Sequence, residues 1–100
     1  MNARLPVDRD ALARLCRGHH IRKLSLFGSV LKGTDKPKSD IDLLVEFEAG
    51  NAPGLLGLAA IEAELSALLG GRRVDLRTAQ DLSRYFRDEV IRTASVQYAA

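Results

Sequence analysis

Two aspartates, Asp40 and Asp42, stand one residue apart at the head of an apolar run that continues Leu43-Leu44-Val45-Glu46-Phe47. On a strand, both side chains point to the same face, with their Cα atoms ~6.5–7 Å apart. Carboxylates so placed repel, and one pKa rises unless a cation lies between them. They can share one divalent ion or bridge two ions ~3.5–4 Å apart. Ten residues separate this pair from Gly28-Ser29, which closes an earlier apolar run, Leu24-Ser25-Leu26-Phe27. Gly28 lets the backbone approach a ligand closely. Ser29 opens a helical turn whose free N–H groups attract phosphate oxygens, and its hydroxyl adds a contact. Lys32 can reach a phosphate or stay solvated. A third carboxylate, Asp75, lies between Val74 and Leu76. In a core strand it is expensive unless paired or metal-bound. If its strand pairs with that of Asp42, Asp75 becomes a third ligand and a candidate general base for an attacking hydroxyl. Taken alone, it also reads as a strand-end aspartate paired with Arg72, Arg73 or Arg77. Hard oxygen donors beside a phosphate cradle favour Mg²⁺ or Mn²⁺ over zinc.

These residues need strands and tight turns to position them. A first helix is expected over 7–17, with Asp8 as N-cap, Leu12, Leu15 and Cys16 on one face, and Gly18 as the stop. His19 and His20 follow as solvated loop residues. The first strand is expected over 22–27, one or two helical turns at 30–32, and a loop over 33–39. The near-continuous apolar run 41–47 suits a central strand covered on both faces. The longest helix is expected over 54–69, with Leu55, Leu58, Ile61, Leu65 and Leu68 on one face and Gly70-Gly71 ending it. A third strand follows over 72–77, and Thr78 to Asp81 resembles a capping box. Ser83 is a good N-cap for a last helix to about Ala94, with Leu82, Phe86, Val90 and Ile91 as its apolar stripe. The tail to Ala100 carries little signal, although Val96 and Tyr98 can pack. Strands alternating with helices predict an α/β (α+β) fold: a small mixed sheet of three to four strands with helices packed on it.

Composition bounds the function. One hundred residues predict one domain, 1–100, with room for one core. The 15 basic and 13 acidic residues nearly balance and form no basic run, so direct nucleic-acid binding is not expected. A lone cysteine, Cys16, rules out an internal disulfide and a thiolate zinc cluster. With no apolar leader and no long apolar run, the chain reads as cytoplasmic, without a membrane partner.

Leu26-Phe27-Gly28-Ser29 together with Ser39-Asp40-Ile41-Asp42-Leu43 resembles the signature of the DNA polymerase beta-like nucleotidyltransferase superfamily. More narrowly, the chain resembles the minimal nucleotidyltransferase (MNT) antitoxins of HEPN/MNT toxin–antitoxin pairs. The Val74-Asp75-Leu76 strand and the stretch from Leu82 to Tyr98 match that layout. The resemblance implies transfer of AMP from ATP to a hydroxyl, a tyrosine in that family, on a partner HEPN ribonuclease, which is thereby silenced. Gly28 and Ser29 would then hold the triphosphate, with Lys32 within reach of a phosphate. Asp40 and Asp42 would bind Mg²⁺, and Asp75 would complete the triad. Val30 and Lys32 stand where relatives often carry arginine, which removes a bidentate phosphate contact.

The domain is small for a built-in acceptor site, so a partner protein is expected to bring the acceptor. Two other readings compete: a relict site on a protein that neutralises its partner by binding, and a transferase acting on RNA ends or a small molecule.

Overall fold

Four strands form one mixed sheet in the order β3-β2-β1-β4. The structure is a computed structural model and describes residues 5–28 and 40–100. In chain order the elements are α1 (Arg9–Gly18), β1 (Ile21–Phe27), β2 (Ile41–Phe47), α2 (Leu55–Leu68), β3 (Val74–Arg77), a 3₁₀ turn (Ala79–Asp81), α3 (Arg87–Thr93) and β4 (Ser95–Ala99). β1 runs antiparallel to both β2 and β4, and β2 runs parallel to β3. A parallel pair needs a crossover, and α2 supplies it.

Local chemistry explains the ends of α1. The Asp8 side chain accepts from the Asp10 N–H, as expected of an N-cap. At the other end, Gly18 stays within the helix, His19 is the C-cap, and His20 takes the left-handed φ of 58° that turns the chain into β1. Both histidines have partners: His19 Nε2 lies 2.7 Å from Glu64, and His20 Nδ1 lies 3.5 Å from Glu48.

The core lies between the helices and one face of the sheet. Leu12 and Cys16 of α1 join Leu24 and Leu26 of β1, Ile41, Leu43 and Val45 of β2, and Ile61 and Leu65 of α2. Burial pushes the Cys16 thiol up to about 11, so it is an inert apolar filler. β2 is central, as its apolar run predicts. Its even-numbered residues, Asp42, Leu44 and Glu46, alternate to the opposite face. Leu44 and Leu82 are both buried yet lie outside the main core cluster.

Three expectations change. Along α2 the buried line is Leu58, Ile61, Leu65 and, just past the helix, Leu69; Leu55 is 86% exposed. The last helix is a single short segment, Arg87–Thr93, because Ser83 starts a turn whose carbonyl accepts from Phe86 and Arg87 rather than capping a long helix. Its expected stripe is therefore only partly covered: Leu82 is buried, whereas Phe86 and Ile91 are about half exposed. The tail forms β4, an edge strand with Ser95 and Gln97 buried and Val96 half exposed. Gln97 Oε1 accepts from the Leu5 N–H at 2.9 Å and from Arg9 at 3.2 Å, which satisfies a buried amide.

Two side chains of α2 fasten it to β3 and to the segment just ahead of it. Glu62 Oε2 accepts from the Leu76 N–H at 2.7 Å, and the Ser66 hydroxyl donates to the Arg72 carbonyl at 2.6 Å. Glu62→Ala should lower unfolding free energy by about 1–2 kcal/mol. Glu62→Gln, which keeps an acceptor oxygen, should recover most of that loss. Urea unfolding followed by circular dichroism measures both.

Candidate active site

The site is built where β2 and β3 run side by side. The Ile41 N–H donates to the Arg73 carbonyl at 2.9 Å, and this contact starts the parallel ladder. From there Asp42 pairs with Asp75 and Leu44 with Arg77. The sequence expectation that Asp75 faces the same site as Asp42 is therefore met by the register. Asp40 sits just ahead of β2 and is exposed.

On its other side Asp42 pairs with Phe27, the last residue of β1. Gly28 follows with φ of 81°. A Cβ on Gly28 would overlap the Asp42 carboxylate oxygen Oδ2, so only glycine allows this approach. The first residue of the expected phosphate cradle thus lies directly against Asp42, the second carboxylate of the expected metal pair. Ser29 and Lys32, with the helical turn at 30–32 and the loop at 33–39, lie outside the described residues.

The electrostatics are those of crowded negative charge. Burial raises the Asp42 pKa, and the charges of Asp75 and Asp40 raise it further. Arg77 works in the opposite direction. Its Nε and Nη2 both donate to Asp75 Oδ2, at 3.2 and 3.1 Å. The alternative pairing of Asp75 with a neighbouring arginine is thus also realised, with Arg77 as the partner. Among the described residues, no three His, Cys, Asp or Glu side chains form a group that could hold a metal ion.

That arrangement still fits a hard divalent cation. Mg²⁺ is commonly held by one or two carboxylates plus substrate phosphates, rather than by an all-protein cage. Asp42, with Asp40 two residues before it, offers such a pair beside the approach at Gly28. Further along the same face, a cavity of about 410 Å³ opens beside Leu44, Glu46, Thr78, Gln80 and Ile91. It adjoins the carboxylates without including them. Thr78 and Asp81 hold its wall through the expected capping box, in which the Thr78 N–H donates to Asp81 Oδ2 at 3.1 Å. Arg77 is the site residue whose importance the sequence did not single out. Its signal was the i, i+2 spacing from Asp75, which puts both on one strand face.

A family model for the nucleotidyltransferase domain matches residues 9–97. The chain belongs to that family. This nucleotidyltransferase domain is 40% identical over 72 residues to the protein adenylyltransferase MntA of Thermococcus cleftensis, covering 72% of this chain and 70% of the relative. It is also similar to a solved candidate minimal nucleotidyltransferase, at 40% identity and a TM-score of 0.69, with 86% of this chain and 85% of the other covered. A toxin–antitoxin structure with AMP-PNP shares the fold at a TM-score of 0.72 and 21% identity, over 94% of this chain and 75% of that one. The mixed sheet with its packed helices is the fold expected from the sequence, and the domain is a transferase by family. Among the described residues, no helix is long and apolar enough to cross a membrane.

Two outcomes test the geometry. Gly28→Ala forces an alanine into left-handed φ against a carboxylate, and should cost at least about 1–2 kcal/mol of stability. Thermal unfolding reads it. For Asp42, the folded-state pKa lies above the unfolded value, so ionising the group weakens the fold. The penalty is absent below the ordinary carboxylate range, where both states are protonated, and complete above the raised pKa. Asp42→Asn should therefore raise the melting temperature at pH 7, without added metal, by ~2–4 °C. The gain should fade as the pH falls into the ordinary carboxylate range. A gain independent of pH would show that the crowding of charge is not its source.

Proposed function

We propose that the protein is an antitoxin that transfers AMP from ATP to a hydroxyl, a tyrosine, on a partner HEPN-type ribonuclease toxin, and so inactivates it. The observation that carries this reading is the convergence of Gly28, Asp42 and Asp75 at adjoining positions on three neighbouring segments. The named chemistry of the MntA relative, a protein adenylyltransferase, supports the reaction class. The toxin–antitoxin structure of the same fold, with its ATP analogue, supports the setting.

The residues divide the work. Gly28 lets the start of the cradle come close to the carboxylates, and Ser29 and Lys32 would bind the triphosphate. Asp40 and Asp42 would hold the divalent cation, with Asp75 as its third ligand and as the general base. When bound, Mg²⁺ (or Mn²⁺) neutralises charge on the phosphates and favours departure of pyrophosphate. The hydroxyl oxygen bonds to the α-phosphorus while the bond from that phosphorus to the bridging β-oxygen breaks. Asp75 accepts the hydroxyl proton, and pyrophosphate carries away the electron pair. Most of the acceleration comes from positioning and charge compensation, which a domain this small can supply.

Incubation with labelled ATP, Mg²⁺ and the HEPN partner should label the partner. Asp42→Asn and Asp75→Asn should each cut labelling by at least about a hundredfold with the circular dichroism spectrum unchanged. An unlabelled partner that is nevertheless bound and silenced would overturn the transfer and favour neutralisation by binding.

A further inference from the structure

Asp75 is committed elsewhere. Both donors of one Arg77 fork meet the same oxygen, Oδ2, at 3.1 and 3.2 Å. The pair is i, i+2 on one strand, so it forms whenever β3 forms and needs no distant element. Asp75 and Arg77 sit beside Asp42 and Leu44 of the parallel neighbour, so the guanidinium stands within the same field of carboxylates. The pair is open to solvent, with 33% of the Asp75 and 46% of the Arg77 side-chain surface exposed, so its effect on a cation is moderated by screening. The charge acts on Asp42 as well as on Asp75. A positive charge in that position stabilises Asp42 and Asp75 when no metal is present, and repels an arriving cation.

We propose that Arg77 is a positioning residue that competes with the divalent metal for Asp75 and so weakens metal binding in the absence of nucleotide. The site then holds two available carboxylates at rest and keeps the third in reserve. Its affinity for free metal is set low by a residue of its own strand, and a metal arriving with triphosphate oxygens as extra ligands is favoured over the bare ion. This rests on the metal-binding role of Asp40, Asp42 and Asp75 in the proposed function.

The test measures Mn²⁺ binding to the full chain without nucleotide, by electron paramagnetic resonance of the free ion. Arg77→Gln should tighten Mn²⁺ binding by about threefold to tenfold, the effect of removing one charge a few ångströms from a divalent ion near the surface. Arg14→Gln, at an exposed position on α1 on the other face of the sheet, removes the same charge and should leave the affinity as it was. Circular dichroism melts confirm that both variants are folded. Equal or weaker binding by Arg77→Gln overturns the competition while leaving the metal site standing. So does an equal gain in Arg14→Gln, which would reduce the effect to net charge. Absence of Mn²⁺ binding in the folded wild type and in both variants overturns the metal-site reading itself.

Discussion

The parallel register of β2 against β3 is the constraint on which the site depends. A strand has a side-chain period of two, so a slip of one residue would turn Asp75 into the core and Leu76 out of it. The register is therefore fixed by apolar burial: Val74 and Leu76 pack with Ile41 and Leu43, and Asp75 has no choice but to join Asp42. Polar contacts reinforce the same alignment. The Ile41 N–H meets the Arg73 carbonyl, and α2, which makes the crossover, grips β3 through Glu62 and the Arg72 carbonyl ahead of it through Ser66. Hydrophobic packing on one face thus places two mutually repelling carboxylates side by side on the other.

That placement has a cost, and the structure shows how it is contained. Asp42 is the most burdened group, since it is partly desolvated and has two carboxylates for neighbours. Arg77 offsets part of the repulsion from within the same strand. Gly28 contributes by having no side chain, because any Cβ would force Asp42 to move. A site that must gather negative charge to receive a cation is in this sense destabilised before the cation arrives, which is a common arrangement at functional positions.

Much of this was legible in the chain. Alternation located β1, a near-continuous apolar run located β2, and β3 was expected over 72–77, where the structure has Val74–Arg77. Gly28 and the Asp-x-Asp spacing marked segments that the structure brings together, whereas the parallel pairing of β2 with β3 was left open by the sequence. β4 was not legible because its alternation is inverted: Gln97 and Ser95 are buried and Val96 is half exposed, so a hydropathy pattern points the wrong way. Its burial is made possible by hydrogen bonds to Leu5 and Arg9, nearly the whole chain away. The last helix was overdrawn for a related reason. Leu82, Phe86, Val90 and Ile91 have helical spacing, yet Leu82 is buried at the end of the 3₁₀ turn, and only Val90 and Ile91 fall within α3. Arg77 was legible only as one of three arginines, with Arg72 and Arg73, that could pair with Asp75. Only the fork on Asp75 distinguishes it.

The bond from Leu76 to Glu62 has a consequence beyond the grip of a helix on a strand. β3 lies at the margin of the sheet, where backbone N–H groups invite another strand to pair with them. The Glu62 carboxylate already occupies one such donor, and at the opposite margin Arg9 reaches the Gln97 carbonyl at 3.4 Å. Both rims of the sheet are therefore blunted by side chains from the chain's own helices. Growth of the sheet by strand addition, whether from a second copy or from another polypeptide, would have to break these bonds first. Any protein that meets this domain is directed instead to side-chain surfaces, on the face where its carboxylates are gathered or on the exposed parts of its helices.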